Sequence, residues 1–338
     1  MSRRRVVTLA ALGTVIALAL GVTVWTLIAN DYGIHEERVT IAGPRGELHA
    51  DLVTPIEHDG PHGLVIFVHD DGPADADRGD QYKPLWDSFA KAGYASLSWD
   101  KPGVDGAPGN WLDQSMHDRA AEVEAAISWA YSRPDLDATR IGLWGAGQAG
   151  LVIPEVLARR HNVRFATLVG PTVDWARQTR FEATADLGDA SKPEVDAAAR
   201  ARAERVRLLR DGASHADYLR AKVDAEPLTA TRWRFEETNI GADATADLGR
   251  ISVPTLLILG GHDRVTDVDA TEKAYRTHVP ADLLTVKRFD DATHRITRND
   301  IEYRDDLRVK AREMFAPRTV YAPGYLDALR VFARRNSR

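Results

Sequence analysis

The chain has 338 residues, a formal net charge of -6 and no cysteine. That length suffices for one large domain or two small ones with a sizeable core, while the lack of thiols excludes disulfides, thiolate nucleophiles and cysteine-type zinc sites. The only basic cluster lies at the extreme N-terminus, so no nucleic-acid partner is expected, because phosphate neutralisation needs a dense Lys/Arg surface.

Arg3, Arg4 and Arg5 precede an uncharged run from Val6 to Asn30, rich in Leu, Val, Ala and Ile. At about 1.5 Å rise per residue a helix of that length spans a hydrocarbon core, and residues 1–30 read as a membrane anchor. The rival is a cleaved signal peptide, but Leu27 at the outer small position makes the site after Ala29 a poor one. The arginines imply a cytoplasmic N-terminus and an extracytoplasmic domain over residues 31–338, secreted if the segment is cleaved.

Past the anchor, apolar runs and amphipathic stretches alternate. Arg38–Ala42 and Glu47–Thr54 read as strands joined by the turn Gly43-Pro44-Arg45-Gly46. Leu64–His69 is a short continuous apolar run, as expected of a strand covered on both faces. Tyr82–Ala92 reads as a helix, Tyr94–Trp99 as a strand, Met116–Tyr131 as an amphipathic helix and Arg140–Trp144 as a strand. An apolar helix follows at Leu151–Arg159, and further strands at Phe165–Val169, Thr255–Leu259 and Asp282–Phe289. This alternation implies an α/β fold with a mostly parallel sheet and helices on both faces. Between Pro171 and Arg250 it breaks: Pro193–Arg210 and His215–Ala225 are charged helical stretches, read as a helical cap over about 171–250.

The segment Gly145-Ala146-Gly147-Gln148-Ala149 has the form small-x-nucleophile-x-small on a strand-to-helix turn, where small flanks let strand and helix nearly touch. Gly145 to Gly150 also fits G-x-G-x-x-G. That dinucleotide fingerprint wants an acidic residue closing the next strand, and here the next strand ends in Gly170-Pro171. Later in the chain, Gly260-Gly261-His262-Asp263 and Asp290-Asp291-Ala292-Thr293-His294 each follow a strand. His294 could be a satisfied loop histidine, and Asp263 a helix N-cap in competition with Thr266 or Asp267.

These segments together resemble the α/β-hydrolase superfamily, in its bacterial dienelactone-hydrolase and serine-aminopeptidase-like branch of esterases and acyl hydrolases. The resemblance runs from about Glu36 to the C-terminus. It implies the chain order nucleophile, acid, base, with Gly147 standing where the serine should be, Asp263 (or Asp267) as acid and His294 as base. His69-Asp70-Asp71-Gly72-Pro73 resembles the oxyanion loop His-Gly-x-Gly-Pro, which implies oxyanion N–H groups from Asp71 and Gln148, with Asp70 replacing a glycine beside the hole. It implies a small ester, thioester or peptide-like acyl ligand, and no cofactor or metal.

Without a serine side chain, covalent catalysis by the usual route is closed, a loss of about 10⁶ in turnover. Two functions stay open. One is an impaired hydrolase, in which a water in the vacated space is deprotonated by His294. The other is a non-catalytic binding module that keeps the pocket under its cap for a ligand or protein partner.

Overall fold

The computed structural model describes residues 16, 20–160, 162–185, 187–188, 190–302, 304 and 306–337. Eight strands form one sheet in the order β1-β2-β4-β3-β5-β6-β7-β8. β1 (Ile34–Gly43) and β2 (Gly46–Pro55) pair antiparallel through the expected turn, and β2 pairs antiparallel with β4 (Tyr94–Trp99). From β4 onward the neighbours β3 (His62–Val68), β5 (Leu136–Ala146), β6 (Val163–Val169), β7 (Thr255–Gly260) and β8 (Leu284–Phe289) are all parallel. Strands β3, β4 and β7 are buried at every position, which is why β3 reads as a continuous apolar run, while β4 buries Ser96 and Ser98 among apolar neighbours.

Two cores sit on opposite faces of this sheet. One packs α3 (Met116–Ala130) and α4 (Ile153–Arg159) through Val123, Ile127, Val156 and Leu157. The other packs α2 (Lys83–Ala90) and α13 (Tyr325–Arg335) through Trp86, Phe89 and Leu329. α3 starts where the sequence places it, because Ser115 caps Asp118 N and Asp118 reciprocates, a capping box.

Between β6 and β7 the expected pair of helices becomes five among the described residues: α5 (Trp175–Ala185), α6 (Lys192–Arg210), α7 (His215–Ala221), α8 (Ala230–Asn239) and α9 (Thr245–Leu248). α8 escaped notice because Trp233 and Phe235 point inward among charged neighbours, so no clean apolar stripe marks it. After β7 come α10 (Val268–His278), then α11 (Asn299–Glu302) and α12 (Leu307–Phe315) beyond β8.

The anchor expected over residues 1–30 falls largely outside the described residues. What is described is α1 (residues 20–29), whose Leu20, Val22, Val24, Trp25, Leu27 and Ile28 side chains are exposed. Among the described residues no helix is long and apolar enough to cross a membrane.

Candidate active site

β5 ends at Ala146, and the chain turns at Gly147 into a short 3-10 segment that leads into α4. Gly147 has φ +52°, the left-handed region that costs an ordinary residue about 1–3 kcal/mol and glycine little. The small flanks have the expected reason: a Cβ on Gly145 would come within 2.4 Å of the Ala149 Cβ.

His294 and Asp263 meet beside this turn. His294 Nδ1 lies 2.9 Å from Asp263 Oδ2, and both side chains are almost wholly buried. The other oxygen of Asp263 accepts from Val265 N at 2.8 Å and Thr266 N at 2.7 Å, which fixes its orientation. Asp263 thus holds a loop and faces the imidazole at once. Asp267 is the N-cap of α10, accepting from Ala270 N at 3.0 Å, so of the two carboxylates Asp263 is the one against His294. Gly170, not singled out in the sequence, makes room for this pair: a Cβ there would lie 2.8 Å from His294 Nδ1 and 3.1 Å from Asp263 Oδ2.

The expected vacancy at position 147 is not there. A Cβ built on Gly147 would lie 1.8 Å from Asp70 Oδ1 and 2.3 Å from its Cγ, so the Asp70 carboxylate fills the volume that a serine side chain would occupy. This corrects the picture of a water in that space. It also corrects the expected placement of Asp70 beside an oxyanion hole, because the carboxylate lies against the two N–H groups expected to form that hole. Gln148 N–H donates to Asp70 Oδ1 at 2.9 Å, and the Asp71 N–H donates to the same carboxylate. Both backbone donors expected to receive an oxyanion therefore receive this anion instead.

Asp70 Oδ2 lies 3.3 Å from His294 Nε2, an ion pair without the alignment of a good hydrogen bond. His294 is thus held between two carboxylates. Burial alone would lower its pKa, but Asp263 and Asp70 outweigh burial and raise it to about 10. Burial likewise would raise Asp70, but the His294 imidazolium and the Gln148 and Asp71 N–H groups win and hold its carboxyl well below the usual carboxylate range. At neutral pH His294 therefore keeps its proton between Asp70 and Asp263.

Two buried cations that sequence reasoning passed over hold the oxyanion loop. Lys101 Nζ donates to the carbonyls of Asp70 and, at 2.6 Å, Gly72. Arg119 donates to the carbonyl of His69 and, at 3.2 Å, to Gln148 Oε1. Lys101 follows just after β4 and Arg119 lies on α3, the helix read as amphipathic, where a charged residue is ordinarily solvated. The side chain of Asp71 turns away from the hole and forms a two-pronged pair with Arg232 of α8, at 3.0 and 2.7 Å. Arg232 in turn lies over the Phe235 ring at 4.9 Å. The helical insertion is thereby tied to the loop that carries Asp70.

Asp70 also lines a cavity of about 380 Å³, within the size range of small-molecule sites. Its wall comes from Arg78, Tyr82, Leu85, Trp144, Ile301 and Tyr325 among others, and no described residue of 171–250 lines it. The space next to the carboxylate therefore opens toward α2 and α13, not under the cap.

Over residues 59–302 the chain matches the family model described as serine aminopeptidase, S33. No curated protein matches it. Among solved structures, an esterase of Pyrococcus furiosus superposes with a TM-score of 0.58 at 15% identity, over 91% of this chain and 94% of that one. Est1E of Butyrivibrio proteoclasticus, solved with ferulic acid bound, gives 0.56 at 15% identity over 88% and 98%. A thermostable esterase of Pseudomonas putida gives 0.56 at 13% identity over 94% and 89%. At these identities the structures share the fold. The extent of the family match, carried on the sheet order and the turn at Gly147, places the chain in the serine aminopeptidase S33 family of the α/β-hydrolase superfamily.

Proposed function

We propose that this protein is an esterase-related member of its family in which serine acyl transfer is shut off, with a site that still takes a small ligand. The observation that carries this reading is the Asp70 carboxylate in the combined space of the missing serine side chain and the oxyanion hole. Three requirements of acyl transfer fail together. Gly147 offers no nucleophile, the hole already holds an anion, and His294 keeps its proton near neutral pH, so it is no general base there. Est1E binds ferulic acid, and a ligand of similar size suits the cavity beside Asp70.

The protein works at a membrane surface, outside the cytoplasm. Support comes from the apolar run after Arg3–Arg5 and from how its end meets the domain. Arg318 donates to Asp31 O at 2.7 Å and lies over the Tyr32 ring at 4.2 Å, and Asn30 Nδ2 donates to Met314 O at 3.1 Å. Met314 on α12, beside the end of α1 through that bond, is itself exposed.

A fluorophosphonate probe tests the central part. Wild-type protein is expected to stay unlabelled and to hydrolyse p-nitrophenyl acetate no faster than buffer. Labelling of the wild type on any serine in this site would sink the proposal.

A further inference from the structure

Large apolar side chains left exposed on the domain past Tyr32 are mostly single. Ile56, Tyr131, Leu219 and Val331 stand far apart along the chain, as scattered apolar residues on an ordinary protein surface do. Leu307, Met314 and Phe315 differ: they are 85%, 64% and 36% exposed, all on the nine residues of α12. Resting on the reading that the segment before Asp31 holds the chain at a membrane, we propose that α12 is a second membrane contact, an interfacial helix that lies on an anionic lipid surface beside the end of α1.

The arrangement along the helix carries this. Leu307, Ala311, Met314 and Phe315 stand at i, i+4, i+7 and i+8, one stripe of an α-helix. A surface helix ordinarily turns such a stripe to the core. Here the stripe faces outward, and the buried residue is Val309, on the opposite side. Arg308 and Arg312 border the stripe next to Phe315, and Lys310 borders it next to Met314, all three exposed. An outward apolar stripe between cationic edges suits the headgroup region of a bilayer, with the apolar side chains buried below and the cations among the phosphates. The single acid of the helix, Glu313, stands between Lys310 and Val309 and lines the cavity that also holds Asp70.

The neighbour of α12 decides what covers the stripe. At the end of α1, Asn30 Nδ2 donates to the Met314 carbonyl at 3.1 Å. Just after α12, Arg318 donates to Ala29 O and, at 2.7 Å, to Asp31 O. The uncharged run Val6–Asn30 thus joins the domain at the C-terminal end of α12, and a bilayer that takes up that run also comes to α12. At about 1.5 Å per residue, nine residues are too short to cross a hydrocarbon core and long enough to lie along its surface. Three side chains make a contact too weak to hold the protein by itself, and the tether supplies the local concentration that fills it. One attachment leaves the domain free to swing. The second fixes which face meets the lipid, and the cavity wall at Glu313 is then held near that surface.

The natural lack of cysteine allows one label at a chosen position. Full-length protein with an environment-sensitive fluorophore at Leu307→Cys, at Met314→Cys or, on the insertion, at Lys192→Cys would be reconstituted in vesicles of phosphatidylcholine and phosphatidylglycerol that also contain nitroxide-bearing lipid. Labels at 307 and 314 are expected to lose at least half their fluorescence to the nitroxide, and the label at 192 none. Adding Arg308→Glu and Arg312→Glu to the Met314→Cys protein should cut that quenching at least twofold. Labels at 307 and 314 that stay water-exposed would overturn the proposal. So would labels that are shielded from water yet unquenched, as cover by the residues ahead of α1 or by a second copy of the chain would give, and so would quenching indifferent to the charge reversal. Flotation of the same vesicles reads the anchor separately. Protein that floats with unquenched labels leaves the anchor standing and removes only the α12 contact, whereas protein that does not float removes both.

Discussion

On the reading proposed above, Asp70 and Gly147 are two departures from the pattern the resemblance implies, and the structure makes each depend on the other. With any Cβ at 147, the Asp70 carboxylate would have no room. With glycine at 70, position 147 would face an empty hole. Gly147→Ser alone is therefore expected to be destabilised by roughly 1–3 kcal/mol in thermal melts, from the left-handed backbone and from displacing a pinned carboxylate. Asp70→Asn keeps the hydrogen-bond acceptor but removes the charge. His294 should then titrate well below its wild-type position, an outcome that proton NMR of the imidazole would show directly.

The charged pair also sets a pH dependence. The folded pKa of His294 is raised above its ordinary 6.5 to about 10, so between those values the folded state holds a proton that the unfolded chain has lost. Stability is then fully present below about 6.5 and falls as pH rises toward 10. Asp70 acts at the other end, its contribution being present above the ordinary carboxylate range and lost in acid. A wild-type melting temperature that declines across pH 7–10, with the slope abolished in His294→Gln, is the expected result. Identical slopes in the two proteins would contradict the ion-pair description of the site.

Sequence reasoning brought together His294, Asp263 and the turn at Gly147, because each sits at the end of a strand and strands are the easiest elements to place. It flagged Asp70 as foreign to its loop but set it beside the hole. Which way a short carboxylate turns depends on the space left by residue 147, seventy-odd positions away, and on two N–H groups that converge only in three dimensions. Gly170 was invisible for the same reason: its need for glycine comes from His294 and Asp263 across the sheet top.

At the level of elements, the strands and the helices on both sheet faces were legible from periodicity, since burial on one face or both leaves a clear pattern. The insertion between β6 and β7 was legible in part: α6 and α7 stood out as charged helical stretches, whereas α5, α8 and α9, which bury few side chains each, did not. Its tie to the rest of the site is the Arg232–Asp71 pair. Both partners are about a third exposed, so Arg232→Leu should lower stability by no more than about 1 kcal/mol. Its larger expected effect is local: faster limited proteolysis within α5–α9, with the global melting temperature lowered by no more than about 3 °C. Protection equal to wild type would show that the pair does not hold the insertion down.

For the whole molecule, the sheet presents the site at the C-terminal ends of its parallel strands, and the N-terminal segment would hold that site at a membrane. Removal of residues 1–30 is expected to leave the melting temperature within a few degrees and to move the protein from the membrane pellet to the supernatant of fractionated cells. A truncated protein that still pellets with carbonate-washed membranes would place the anchoring elsewhere.

What most directly separates a carboxylate in the place of serine from a site that merely lacks one oxygen is a rescue comparison. Fluorophosphonate labelling would be measured for Gly147→Ser and for Asp70→Gly/Gly147→Ser. The double variant restores both the nucleophile and an open oxyanion loop, His-Gly-x-Gly-Pro, and lets His294 lose its second carboxylate. It is expected to label at least a hundredfold faster than the single variant, in line with the value of a working oxyanion hole. Equal labelling of the two proteins would contradict the account.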